Sequence, residues 1–143
     1  MIPIATNDEK KEYLRSYRRN GRWIARIEQE IEEIRLLKES PSFCADGMPH
    51  GNETSDLSSY IVRLEKKEEA LEKAKLEQIA TYSSVMEQIE KLPDRDERDV
   101  LFFRYIKGLG WQKIADSMCY ARSHIFRIHG NALNNLEIPE TWD

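Results

Sequence analysis

The chain has 143 residues, of which 34% are charged and 40% hydrophobic, and its net charge is −4. That balance is too charged for a large buried core and too hydrophobic for a disordered chain, which leaves one domain, or a small module with a long accessory element. Bulk charge of this sign disfavours non-specific nucleic-acid binding, so any such site has to be a local patch.

Only 6 Gly and 5 Pro occur, mostly in a few short stretches. The long segments between them are free of helix breakers, and the expected fold class is all-α. No apolar run approaches membrane-spanning length, so no membrane partner is expected. The start, Met1-Ile2-Pro3-Ile4, lacks the basic-then-apolar order of a signal peptide. Cys44 and Cys119 lie far apart and form no C-x-x-C pair. They read as reduced thiols in a cytoplasmic protein. His50 has only Cys44, Asp46 and Glu53 nearby, without zinc spacing, so neither a metal nor a cofactor is expected. No Gly-rich phosphate cradle, nucleophile–base pair or carboxylate dyad is present, which argues against an enzyme.

The first predicted element covers residues 7–39. Leu14, Tyr17, Ile24, Ile27, Ile31 and Ile34 are separated by threes, fours and one longer gap, the stripe of an amphipathic helix. Asn20-Gly21 could bend it. Seven basic residues fall within 10–26 (Lys10, Lys11, Arg15, Arg18, Arg19, Arg22, Arg26), against one acid, Glu12. They read as a solvated face or as partners for acids on the next helix, with a second nucleic-acid contact as the alternative. The loop 39–55 carries two prolines and two glycines. A long helix is expected from about residue 55 to 92, with Thr54 or Ser55 as its cap. Leu57, Ile61, Leu64, Leu71, Tyr82, Val85, Ile89 and Leu92 mark its stripe, and Tyr82, Met86 and Ile89 read as core. At roughly 1.5 Å per residue it would reach about 55 Å. It must therefore pair with the first helix, with another chain, or partly with solvent, which leaves open a homodimer through the long helices. Pro93 ends it, and Asp94, Asp96 and Glu97 favour the positive end of a new helix. Gly108-Leu109-Gly110 stops that helix in turn.

Residues 111–136 carry the chemistry. With Trp111 in first place, the apolar positions that hold the two helices of a helix-turn-helix fall on Ile114, Met118, Tyr120, Ile125 and Ile128. Ala115 supplies the small residue at their contact. The turn is Cys119-Tyr120-Ala121. Cys119 stands where a glycine is usual and must take up a strained backbone angle. Ala121 stands at the cap position and cannot cap. The second helix then presents Arg122, Ser123, His124, Phe126, Arg127 and Asn131, and Lys113 adds charge from the first. His124 and His129 are both expected to face DNA or solvent. Arg forks to guanine and Asn to adenine in the major groove. Residues 100–136 hold five Lys/Arg (Arg104, Lys107, Lys113, Arg122, Arg127) and one acid, Asp116, a positive patch on a negative chain. The plainer reading is a helical core that binds nothing.

The tract L-P-D-x-x-x-R-x-V-L-x-x-R-Y-I-x-G-x-x-W-x-x-I-A-x-x-M-x-Y, residues 92–120, resembles region 4 of sigma-70-type factors. It resembles more closely the phage and prophage regulators of RinA and ArpU type, which carry sigma-region-4-like C-terminal domains. The segments G-M-P-H-G-N-x-x-S-D-L-S (47–58) and R-I-H-x-x-A-L (127–133) extend the resemblance to most of the chain. It implies a regulator of late transcription in a bacterial host that binds promoter double-stranded DNA and works with host RNA polymerase. On that pattern Arg122, Ser123, Phe126 and Arg127 fall on the recognition helix. The serine usual after the matching Tyr is Ala121 here, and no segment resembles the promoter-melting region of a sigma factor. The expected organisation is a helical, coiled-coil-like arm over residues 1–91, a helix-turn-helix domain over 92–137 and a tail over 138–143, with Trp142 docking back. Two other readings remain open. One is a small-terminase-like DNA-packaging protein. The other is a module that binds polymerase or sigma without DNA.

Overall fold

The structure is a computed structural model that describes residues 4–39, 53–140 and 142. Among them are five α-helices and one π-helical turn, and no strand. The helices are α1 (Asn7–Glu39), α2 (Glu53–Glu90), α3 (Arg95–Leu101), α4 (Trp111–Met118) and α5 (Arg122–Asn135), with the π-helical turn Phe102–Ile106 following α3. Most of the loop 39–55, with Cys44 and His50, lies outside the described residues, and so does most of the 47–58 tract. The helix α2 starts at Glu53, so Thr54 and Ser55 fall within its first turn. None of the helices described is long and apolar enough to cross a membrane.

Helix α1 opens with a reciprocal cap. Glu9 N–H donates to Thr6 Oγ1 (3.2 Å) and Thr6 N–H to Glu9 Oε2 (3.0 Å), which satisfies two otherwise orphaned amides. The helix runs unbroken through Gly21, whose cost of about 1 kcal/mol against Ala is outweighed by the buried stripe Leu14, Ile24, Ile27, Ile31 and Ile34.

The residues fall into two compact units, Gly21–Glu77 and Met1–Asn20 with Gln78–Asp143. The first is an antiparallel helical hairpin. Ile24, Ile27 and Ile31 pack on Ala74, flanked by Leu64, Ala70 and Leu71. Arg35 pairs with Glu68 (3.4 Å) and Lys67 with Glu30 across it. The second is built around Tyr13, Leu14, Val85, Ile89, Leu92, Leu101, Tyr105, Leu133 and Leu136. Its tail docks as expected: Trp142 meets Tyr13 edge-on, with centroids 5.5 Å apart.

Two expectations are corrected. The units do not divide near residue 92, because residues at the start of α1 and the end of α2 share a core with the C-terminal helices. On α2, Leu57, Ile61 and Tyr82 are exposed rather than on the buried stripe. The contact side runs instead through Ala74 and Val85, joined by Thr81, which accepts from Asn20 (3.0 Å), and Ser84, hydrogen-bonded to the Tyr13 hydroxyl (2.6 Å).

Two cations of the basic run in α1, Lys10 and Arg18, tie that helix to C-terminal elements of the second unit, and two more pair within α1. Lys10 is buried and donates to the carbonyls of Leu133 (2.7 Å) and Asn134 (3.4 Å) at the end of α5, where the helix dipole favours a cation. Arg15 and Arg19 pair with Glu12 and hold its carboxyl below the usual range. Arg18 reaches the Ile106 carbonyl (3.4 Å).

The π-helical turn closes with Lys107 N–H donating to Phe102 O (3.1 Å) and Leu109 N–H to Phe103 O (2.9 Å). Gly108 follows at φ +69°, and a Cβ there would overlap the Arg18 guanidinium. The left-handed backbone disfavours any side chain there, and one that is present must displace the Arg18 guanidinium. Replacing Gly108 with Ala is therefore expected to destabilise the protein by about 1–2 kcal/mol from the backbone term alone, with a further loss from displacing Arg18. Urea denaturation of Gly108→Ala, Arg18→Ala and the double variant checks this: the glycine change costs less once Arg18 is gone.

Candidate nucleic-acid interface

The site is assembled by α3, α4 and α5. Asp94 caps α3, its carboxylate accepting from the amides of Asp96 (2.8 Å) and Glu97 (3.3 Å). Glu97 is itself buried and accepts from the Asn135 amide at both oxygens (3.2 Å each), tying α3 to the end of α5.

Helices α4 and α5 meet through Ile114, Ala115, Ile125 and Ile128, closed from α3 by Val100. Ala115 is 1% exposed; a larger side chain at this contact would push the helices apart. Met118 is half-buried against the same cluster. The turn takes the form the sequence demanded. Cys119 sits in the left-handed region at φ 60°, ψ 40°. Its N–H donates to Asp116 O (3.4 Å), and Tyr120 N–H to Ala115 O (3.0 Å), the bond pair that ends a helix in a Schellman motif. Ala121 precedes α5 in an extended conformation, and no side chain caps the helix.

Tyr120 departs from its expected core position. It is 37% exposed, with its hydroxyl donating to Asp96 Oδ2 (2.7 Å) and its ring against His124 at 4.6 Å. The phenol needs a polar partner, and one stands at the rim on α3, so the ring stays at the surface. The nearby carboxylate pushes its ionisation up.

His129 departs in the other direction. It is buried, with Nε2 2.8 Å from the Tyr105 hydroxyl and its ring against Trp111 at 4.8 Å. It shares the inner face of α5 with Ile125, Ile128 and Ala132. Burial, reinforced by the charges of Lys11, Arg104 and Arg15, holds its pKa down to about 4.

The outer face of α5 presents Arg122, Ser123, Phe126, Arg127 and Asn131, all exposed, with His124 half-buried. Lys113 on α4 is exposed too. At helical spacing these outer residues form two ridges, Arg122–Phe126–Gly130 and Ser123–Arg127–Asn131. The sequence reading overlooked the support beneath them. Trp111 carries the Arg104 guanidinium 4.3 Å from its ring centre on one side and meets Phe126 edge-on at 5.2 Å. Arg104 also donates to the Leu109 carbonyl (3.1 Å), fixing its orientation. Because Arg104 and Trp111 are joined through the π-helical turn, no simple periodicity announces the pair.

The exposed polar residues of this face are cationic, amide-bearing or hydroxylic, Phe126 is its apolar member, and residues 122–135 contain no acid. Among the described residues no group of three or more His, Cys, Asp or Glu is placed to hold a metal. Residues 37–137 match the family described as "Protein of unknown function (DUF1492)". The chain belongs to that family. No curated protein and no solved structure matches it.

The buried imidazole gives the family member an acid sensitivity with a definite sign. The unfolded state takes up a proton near pH 6.5 and the folded state only near 4. Stability is thus fully present above about 6.5 and is lost progressively as pH falls towards 4, by on the order of 2–3 kcal/mol. Urea midpoints measured from pH 7.5 to 4.5 are expected to fall more steeply for the native protein than for His129→Gln.

Proposed function

We propose that this protein is a sequence-specific, double-stranded DNA-binding transcription regulator, of the kind that phage and prophage late-gene regulators represent. Helix α5 is the recognition helix, and the protein acts with host RNA polymerase in the bacterial cytoplasm without catalysis. The observation that carries this reading is the outer face of α5. Its Arg122, Arg127 and Asn131 are exposed on a helix whose opposite face is fully committed to the core. Exposed Arg and Asn at the start and middle of such a helix are the groups that read guanine and adenine edges. Lys113 and Ser123 supply phosphate contacts that set register without specifying sequence. The resemblance of residues 92–120 to sigma region 4 supports the same reading.

A packaging protein of the small-terminase kind is the second reading. It draws on exposed apolar residues of α2, Leu76 at 62% and Ile79 at 63%, which would suit subunit assembly. A ring-sized mass by light scattering favours packaging; a monomer or dimer favours regulation.

The test is selection from a random duplex library at stated salt, followed by titration of Arg122→Ala and Arg127→Ala on the recovered duplex. Each change is expected to lower affinity by about 1–3 kcal/mol if the residue reads a base. If the duplex binds and neither change weakens it, the assignment to α5 is wrong. If no duplex is recovered, binding to polymerase or sigma without DNA replaces this reading.

A further inference from the structure

The outer face of α5 contains a residue that neither phosphate contact nor hydrogen-bonded base readout explains. Phe126 is 44% exposed on a face otherwise made of Arg, Ser, Asn and Gly. Its ring is held in place. Trp111 supports it edge-on, and the Arg122 guanidinium lies 5.7 Å from its centre. The next position along the same ridge is Gly130, where an added Cβ would meet nothing within 4 Å. A glycine inside a helix is destabilising relative to alanine, and no packing contact calls for one here. Its effect is to leave the surface beside the Phe126 ring clear for close approach.

We infer that Phe126 reads the 5-methyl group of a thymine in the major groove, with Gly130 leaving room for the duplex beside it. The inference rests on the DNA-binding reading of α5 and deepens it. Of the groups on the base edges in the major groove, the thymine methyl is the apolar one, and an aromatic side chain is among the groups that contact it. Arg122 and Arg127 stand on either side of Phe126 in sequence, and residues 122–135 contain no acid. The surroundings of the ring therefore suit a polyanion better than an apolar protein surface. Arg122 over the ring face brings a cation to the same spot, so one helical turn offers a guanidinium fork and an apolar contact together.

The experiment uses the full chain and the duplex recovered by selection, resynthesised with deoxyuridine in place of each thymine in turn. This removes one methyl group and leaves base pairing intact. The native protein is expected to lose about fourfold in affinity at one or two thymines, the size of one buried methyl, and nothing at the others. Phe126→Ala binds the thymine duplex more weakly and no longer distinguishes deoxyuridine at those positions, whereas Phe126→Leu still does. Gly130→Leu weakens binding to the thymine duplex while circular dichroism reports unchanged helix content. Indifference of the native protein to deoxyuridine at every thymine overturns the inference and leaves DNA binding standing. So does a methyl penalty that persists in Phe126→Ala. A Phe126→Ala variant with native DNA affinity but lost polymerase binding assigns the ring to a protein partner and overturns it as well. Failure to recover any duplex overturns the DNA-binding reading and this inference with it.

Discussion

The contact of Ala115 on α4 with the apolar face of α5 governs what the rest of this molecule presents. Ile114, Ile125, Ile128 and Val100 fill the space around it. Each fully buried side chain of this size stabilises the packed state by roughly 1.5–3 kcal/mol. The geometric consequence matters more than the sum. With one side of α5 committed to that cluster, the opposite side has to face outward, and the residues on it are Arg122, Phe126, Arg127 and Asn131. The left-handed Cys119 fixes the turn that brings the two helices together. The strain at this non-glycine residue is offset by the helix-ending hydrogen bonds it permits.

Electrostatics divides the chain into regions with different roles. The net charge is −4, yet residues 100–136 carry five Lys/Arg and one acid. The equally basic run at the start of α1 has another use. Lys10 and Arg18 end on backbone carbonyls of the C-terminal elements, and Arg15 and Arg19 on Glu12. A cation whose hydrogen bonds go to helix-end carbonyls is structural, and it is no longer a free charge for phosphate. Lys10 and Arg18 are tied up in this way, whereas Arg122, Arg127 and Lys113 are exposed and residues 122–135 carry no acid beside them.

The sequence made some of this legible. The spacing of Ile114, Ile125 and Ile128 marked the inner faces of α4 and α5, and the Cys119 position announced its own backbone angle. The Ile24, Ile27, Ile31 and Ile34 stripe of α1 was equally plain. Register on α2 was not, because Leu57, Ile61, Leu76 and Ile79 offer a competing apolar stripe. The contact side uses Ala74, Thr81 and Ser84, whose partners lie on α1. Tyr120 passed for core because its hydroxyl partner, Asp96, lies on another helix. His129 was a different case: it stands four residues beyond Ile125, on the buried face, and its spacing outweighs its polarity. The Thr6–Glu9 cap was also present in the sequence as T-x-x-E.

The central claim is that α5 meets DNA with its outer face, and chemical-shift mapping on the labelled protein tests it most directly. On adding the selected duplex, the account predicts that resonances of Lys113, Arg122, Ser123, Phe126, Arg127 and Asn131 move. Those of Ile24, Ile27, Ile31 and Ala74 stay in place. A duplex that binds and shifts resonances of residues 21–77 alone would contradict it.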